Sequence, residues 1–308
     1  MNFKFVHNSR ATGAGLKWAH PPVIQTLRFV KKMQRLDDST PEEEIPDSEA
    51  QGSADAKKTP KGNPAMKFIT DNVLKPVDSM FDGLLRSVES AGLTKQIQYP
   101  HYLNQDAFWW NVGKFFFNYE ILGSENVPKE GAAVFCVNHQ SLFDPLLYGV
   151  AVTHYTRRIL HIMAKIELFQ TPLVNAYIRW IYAFPVHRGE HDVQAYETAL
   201  NFLKQGELVG MYPEGTLNGG GYNFLQPKPG AAKMAIEAQV PIIPVGLTGV
   251  DKIFPKGAKM PNFNARLIAK IGEPIHVHEQ YFGTDPTLEQ LLGVMDHVME
   301  QIKGLLYY

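Results

Sequence analysis

His139 and Asp144 stand five residues apart in Asn138-His139-Gln140-Ser141-Leu142-Phe143-Asp144-Pro145. A carboxylate on one imidazole nitrogen fixes the tautomer and raises the basicity of the other nitrogen. That second nitrogen can then take a proton from a substrate hydroxyl. The hydroxyl itself attacks, so no protein nucleophile is needed. A plainer use exists for both residues. Asp144 before Pro145 has the form of a helix N-cap with proline at the first helical position. His139 has the form of a hydrogen-bonded loop residue. The spacing alone does not decide between the two.

Three further blocks follow in chain order. Phe184-Pro185-Val186-His187-Arg188-Gly189 leaves a strand candidate, and the Arg188 guanidinium suits a phosphate through a two-pronged fork. Tyr212-Pro213-Glu214-Gly215-Thr216 makes a tight turn at the end of another strand, the place where α/β sheets gather their sites. Val240-Pro241-Ile242-Ile243-Pro244-Val245-Gly246 reads as a buried strand with a proline at its start and carries no chemistry.

The elements that position these blocks are short apolar runs alternating with helical patterns. Strands are expected at Ala132–Val137, Ile159–Met163, Ile181–Val186, Leu208–Tyr212, Pro241–Leu247 and Ala265–Ile271. One helix is expected from Asp192 to Gln205, with Gly206 as its stop. Another follows Gly230, and a last one starts at Thr287 with Leu288, Leu291, Leu292, Met295, Val298 and Ile302 on its inner face. Such alternation implies an α/β domain, with a mostly parallel central sheet flanked by helices. That domain is expected to span 118–308.

The order and spacing of the four blocks resemble those of the glycerolipid acyltransferase family that includes 1-acyl-glycerol-3-phosphate acyltransferases. Ala164-Lys165-Ile166-Glu167-Leu168-Phe169, Pro255-Lys256-Gly257 and Ile271-Gly272-Glu273-Pro274-Ile275 extend the likeness over roughly 118–280. The resemblance implies that His139 is the general base and Asp144 its orienting partner. It implies that Arg188 holds the acceptor phosphate, that Glu214, Gly215 and Thr216 help form its pocket, and that Lys165 adds positive charge there. The implied reaction is direct transfer from an acyl thioester, acyl-CoA or acyl carrier protein, to a glycerol hydroxyl, forming phosphatidic acid. It implies no covalent intermediate, no cofactor and no metal. One residue departs from the pattern: the family's E-G-T is usually followed by Arg, and Leu217 stands there. Asn218 and Gly219-Gly220-Gly221 then read as a flexible loop. Arg188, Lys228 or Lys233 can supply the missing cation; otherwise the acceptor is another lipid hydroxyl, on glycerol 3-phosphate or a different lysophospholipid. A non-catalytic membrane-binding relative is the further alternative. A serine lipase is disfavoured because no G-x-S-x-G occurs.

The preceding residues divide by composition. Segment 1–36 carries Lys4, Arg10, Lys17, Arg28, Lys31, Lys32 and Arg35 and no acid, with an amphipathic helix expected after Pro21-Pro22. Segment 37–64 is acidic, rich in Pro and Ser, and expected to be a disordered linker. Segment 65–117 is expected to be a helical, aromatic, membrane-facing region, with Pro76 splitting its first helix and Trp109, Trp110, Phe115, Phe116 and Phe117 suited to a bilayer interface. No transmembrane helix is expected, because no apolar run reaches the length of a span. The expected position is monotopic, on the cytoplasmic face of a membrane. The net charge of -1 gives no field for nucleic acid. The single cysteine, Cys136, lies in an apolar run and reads as a small buried hydrophobe.

Overall fold

A computed structural model describes residues 70–187, 192–218, 223–253 and 261–306. Segments 1–36 and 37–64, Arg188, Gly219-Gly220-Gly221 and Pro255-Lys256-Gly257 lie outside the described residues. After a π-helical turn at Thr70–Leu74 come two helices, α1 (Lys75–Ser90) and α2 (Thr94–Phe117). Strands and helices then alternate: β1 (Glu120–Leu122), β2 (Ala133–Val137), α3 (Asp144–Thr156), β3 (Leu160–Lys165), α4 (Ile166–Phe169), α5 (Val174–Trp180) and β4 (Phe184–Val186). They continue as α6 (Val193–Lys204), β5 (Leu208–Met211), α7 (Gly230–Ala238), β6 (Ile242–Thr248), β7 (Ile268–Ile271), α8 (Val277–Gln280) and α9 (Leu288–Leu305).

The strands form one seven-stranded sheet in the order β1-β7-β6-β2-β5-β3-β4. Strands β6, β2, β5, β3 and β4 run parallel, while β7 is antiparallel to β6 and parallel to β1. Every residue of β2, β5 and β6 is buried, which is why these strands read as unbroken apolar runs and not as alternating ones. One face of the sheet packs through Val134, Cys136, Val209 and Ile242 against Met234 and Ala235 of α7 and Met295, Val298 and Ile302 of α9. Burial pushes the Cys136 thiol up, so it packs as a hydrophobe and is not held as a thiolate.

The caps account for several helix boundaries. Asp192 accepts from Ala195 N at 2.9 Å and starts α6. Thr287 and Gln290 make a reciprocal capping box at the start of α9. Gly206 follows α6 at φ 83°, the left-handed geometry of a helix stop. One expected strand shifts, and one strand was not expected. Ile181 and Tyr182 do not join the strand; they close α5, with Ala183 N donating to Ile178 O, and pairing begins only at Phe184. Strand β1, at the sheet edge, is too short to leave a periodic signal.

Pro76 falls in the first turn of α1, and the π-turn precedes it, so the segment divides there as expected. The apolar stripe of α1 is shared. Leu85 and Val88 are buried with Trp180, whereas Met80, Phe81 and Leu84 are 63%, 38% and 52% exposed on one side of the helix. The aromatic segment also divides. Trp109 donates Nε1–H to Tyr177 Oη at 2.7 Å, which fastens α2 onto α5, and the Tyr119 hydroxyl, just after α2, donates to Leu147 O of α3 at 2.6 Å. Trp109, Phe117 and Tyr119 are thus interior, and Phe115 is exposed. Among the described residues, no helix is long and apolar enough to cross a membrane.

Asn138 continues the β2–β6 ladder with its side chain. Its amide donates to Leu247 O at 3.0 Å and accepts from Leu247 N at 2.8 Å, both buried. Asn138→Ala orphans both Leu247 groups and is expected to destabilise the chain by about 1–3 kcal/mol for each, read as a lower urea midpoint.

Candidate active site

Strand β2 ends at Val137, and the chain turns through Asn138 to put His139 at its carboxyl edge. Helix α3 begins at Asp144, with Phe143 at the N-cap position and no side-chain cap bond. The expected N-cap role of Asp144 is therefore not what the structure shows. Its carboxylate reaches backward. Oδ2 lies 2.9 Å from His139 Nδ1 and accepts from Gln140 N at 2.6 Å and Ser141 N at 2.8 Å. Both side chains are buried, His139 at 4% and Asp144 at 0% exposure. Burial pushes the Asp144 carboxyl up, and the imidazole and the two N–H groups pull against it. With Nδ1 taken by Asp144, Nε2 is the nitrogen left for chemistry.

The second block holds the first in place. Glu214 is buried, and its Oε1 accepts from the His139 backbone N–H at 3.1 Å. Its Oε2 accepts from Leu225 N at 2.9 Å. Asn218 N donates to His139 O at 2.9 Å, and the Asn218 amide lies 3.4 Å from Glu214 Oε1. The backbone of His139 is thus pinned at both its N–H and its carbonyl by the turn after β5. Asn218, expected to open a flexible loop, is buried at 8% exposure and belongs to this bracket. The Tyr212 ring lies on the His139 ring at 3.8 Å and 18°, which sets the plane of the imidazole. Neither Tyr212 nor Asn218 carries a sequence signal for such a role, because stacking and backbone bracing have no fixed spacing.

Beside Tyr212 lies a cavity of about 220 Å³. Met163, Val186, Met211 and Met234 give it a largely apolar wall, and Lys228, His187 and Asp192 also line it. Gly215 sits at φ 73°, and a Cβ there would meet Lys228 Cε at 2.9 Å. Glycine is thus favoured by the left-handed backbone of the turn, and the lysine chain passes close beside it. Lys228 N donates to Pro213 O at 2.9 Å, which anchors that lysine beside the turn. Lys233 instead places its ammonium over the Tyr196 ring, 5.3 Å from the centroid. Lys165 ends β3 in register with Val186 of β4, half-buried at the same edge of the sheet as His139. Thr216 is exposed. Arg188 follows β4 but lies outside the described residues.

A buried histidine–aspartate pair at the carboxyl ends of parallel strands, near a largely apolar cavity, is the arrangement of an α/β enzyme site. Residues 118–248 match the acyltransferase family model. A 1-acyl-sn-glycerol-3-phosphate acyltransferase of Bacillus subtilis is 31% identical over 189 residues, 60% of this chain and 87% of that protein. A protein of the same name from Borreliella burgdorferi is 32% identical over 162 residues, covering 51% of this chain and 59% of that protein. The crystal structure of the 1-acyl-sn-glycerophosphate acyltransferase of Thermotoga maritima aligns with a TM-score of 0.55 at 23% identity, over 74% of this chain and 95% of that one, and shares the fold. The chain belongs to the glycerolipid acyltransferase family and is an acyltransferase.

Proposed function

We propose that the chain transfers a fatty acyl group from an acyl thioester, acyl-CoA or acyl carrier protein, to the free glycerol hydroxyl of 1-acyl-glycerol 3-phosphate, forming phosphatidic acid in phospholipid synthesis. The observation that carries the proposal is the buried His139–Asp144 contact at 2.9 Å. The names of the Bacillus and Borreliella relatives support this acceptor.

In this reading Nε2 of His139 removes the hydroxyl proton as the oxygen attacks the thioester carbonyl. The tetrahedral intermediate expels the thiolate, which takes the proton from the imidazolium. The base is restored, and ester and free thiol leave. Asp144 opposes the transient positive charge on the ring. The bracket of Glu214 and Asn218 holds the ring where the hydroxyl must arrive, and such positioning supplies much of the rate.

The phosphate is assigned to the part of the cavity lined by Lys228. There Lys228 stands in for the cation that Leu217 lacks, with Lys165 at a neighbouring strand end and Arg188, two residues beyond β4 in sequence, as a further candidate. Gly215 and Thr216 shape the turn, and Glu214 acts on the pocket through the backbone it braces. Lys228→Ala is expected to raise the acceptor KM about tenfold or more, the value of one hydrogen bond to a charged group, with a smaller change in kcat. An unchanged KM would remove Lys228 from the phosphate site.

The exposed Met80, Phe81 and Leu84 of α1 suit a membrane surface, where the chain lies as a monotopic protein on the cytoplasmic face. The deciding experiment offers purified protein in lipid micelles a thioester donor with 1-acyl-glycerol 3-phosphate, glycerol 3-phosphate or a choline lysophospholipid. Product that forms only from the first acceptor, and only with His139 present, is the expected result. Product from another acceptor alone would move the substrate and keep the chemistry.

A further inference from the structure

We propose that His276, His278 and Glu279 form a binding site for a divalent transition-metal ion of the zinc class. The three residues lie where the chain leaves the sheet and enters α8. One ligand atom from each, two imidazole nitrogens and a carboxylate oxygen, fall within 4.8 Å of one another. His276 Nδ1 and Glu279 Oε1 are 3.4 Å apart. Bonds of about 2.0–2.1 Å in a tetrahedral shell set ligand atoms roughly 3.3 Å apart. Two of the three ligands are therefore at coordination spacing already, and side-chain rotation brings in the third.

His278 makes this more than a surface cluster. Its Nδ1 is buried and has no hydrogen-bond partner among the described residues. A buried imidazole nitrogen left without a partner is costly. Two imidazoles with one carboxylate favour zinc, cobalt or nickel over magnesium or calcium, which take oxygen ligands. His276 and Glu279 are 55% and 70% exposed, so an ion has an open approach and water completes its shell.

The site lies at the amino end of β6, where Ile275 bridges Ile242. His139 lies at the carboxyl end of β2, which pairs with β6 from Val134↔Ile242 to Val137↔Val245. The ion therefore stands apart from acyl transfer.

The test uses the full chain produced without a polyhistidine tag. Equilibrium dialysis against zinc chloride is expected to show one saturable ion per chain. Cobalt chloride, used as a probe, is expected to give the visible absorption of a tetrahedral site. His276→Ala changes an exposed side chain, and it is expected to weaken zinc binding at least about tenfold and to abolish the cobalt spectrum. Its circular dichroism and acyl transfer are expected to stay unchanged. Glu279→Gln is expected to act in the same direction. Absence of saturable zinc binding, or zinc binding that survives His276→Ala unchanged, would overturn the proposal.

Discussion

His139→Ala is expected to lower kcat for acyl transfer by about 10²–10⁴-fold, the usual contribution of a positioned base, while the protein stays folded. The expectation rests on two separate facts. The ring is the group whose Nδ1 lies 2.9 Å from Asp144, so its loss removes the proposed base. The backbone at 139 is held independently, by Glu214 at its N–H and by Asn218 N at its carbonyl, and neither bond needs the side chain. The turn should therefore keep its shape around an alanine. Affinity for the acceptor is expected to change little, because the phosphate is assigned to Lys228 and its neighbours and not to the imidazole. Steady-state rates with matched circular dichroism and thermal unfolding would check this. A variant with ordinary turnover would end the base mechanism and leave proton removal to another group.

The parts of this architecture that the sequence discloses are those whose signal is local. Strands β2, β5 and β6 are runs with every side chain buried, and Gly206, Asp192 and Thr287 punctuate helices by their own chemistry. The proximity of His139 to Asp144 is also local, because five residues of turn suffice to bring them together. What was not legible depends on distant parts of the chain. Asn218 and Glu214 reach His139 only because β2 and β5 are sheet neighbours. Tyr212 stacks on the imidazole for the same reason. The N-cap form of Asp144-Pro145 is equally local, and it misleads, since the carboxylate finds stronger donors behind it than ahead. The aromatic segment shows a similar limit: its composition suits a bilayer interface, yet Trp109 and Tyr119 are hydrogen-bonded in the interior while Phe115 is exposed.

Asp144→Asn is expected to lower kcat about 10²-fold, roughly the 3 kcal/mol of a strong charge-assisted hydrogen bond, and to spare the fold. Asp144 Oδ2 receives three donors: the His139 ring, Gln140 N and Ser141 N. An asparagine that placed its amide nitrogen there would face two backbone N–H groups, donor against donor. Its carbonyl oxygen is therefore driven into the position of Oδ2, and the loop and the ring orientation survive. What disappears is the negative charge, whose effect is largest when the ring carries the substrate's proton. The loss should thus appear in kcat and leave the acceptor KM nearly unchanged. Asp144→Ala differs in kind. It leaves the Gln140 and Ser141 N–H groups buried without an acceptor, which costs about 1–3 kcal/mol each, so stability falls together with activity. Unfolding midpoints and kcat measured on both variants separate the two duties of this carboxylate. If Asp144→Asn lost stability as Asp144→Ala does but kept its turnover, Asp144 would be a loop brace and no partner of the base.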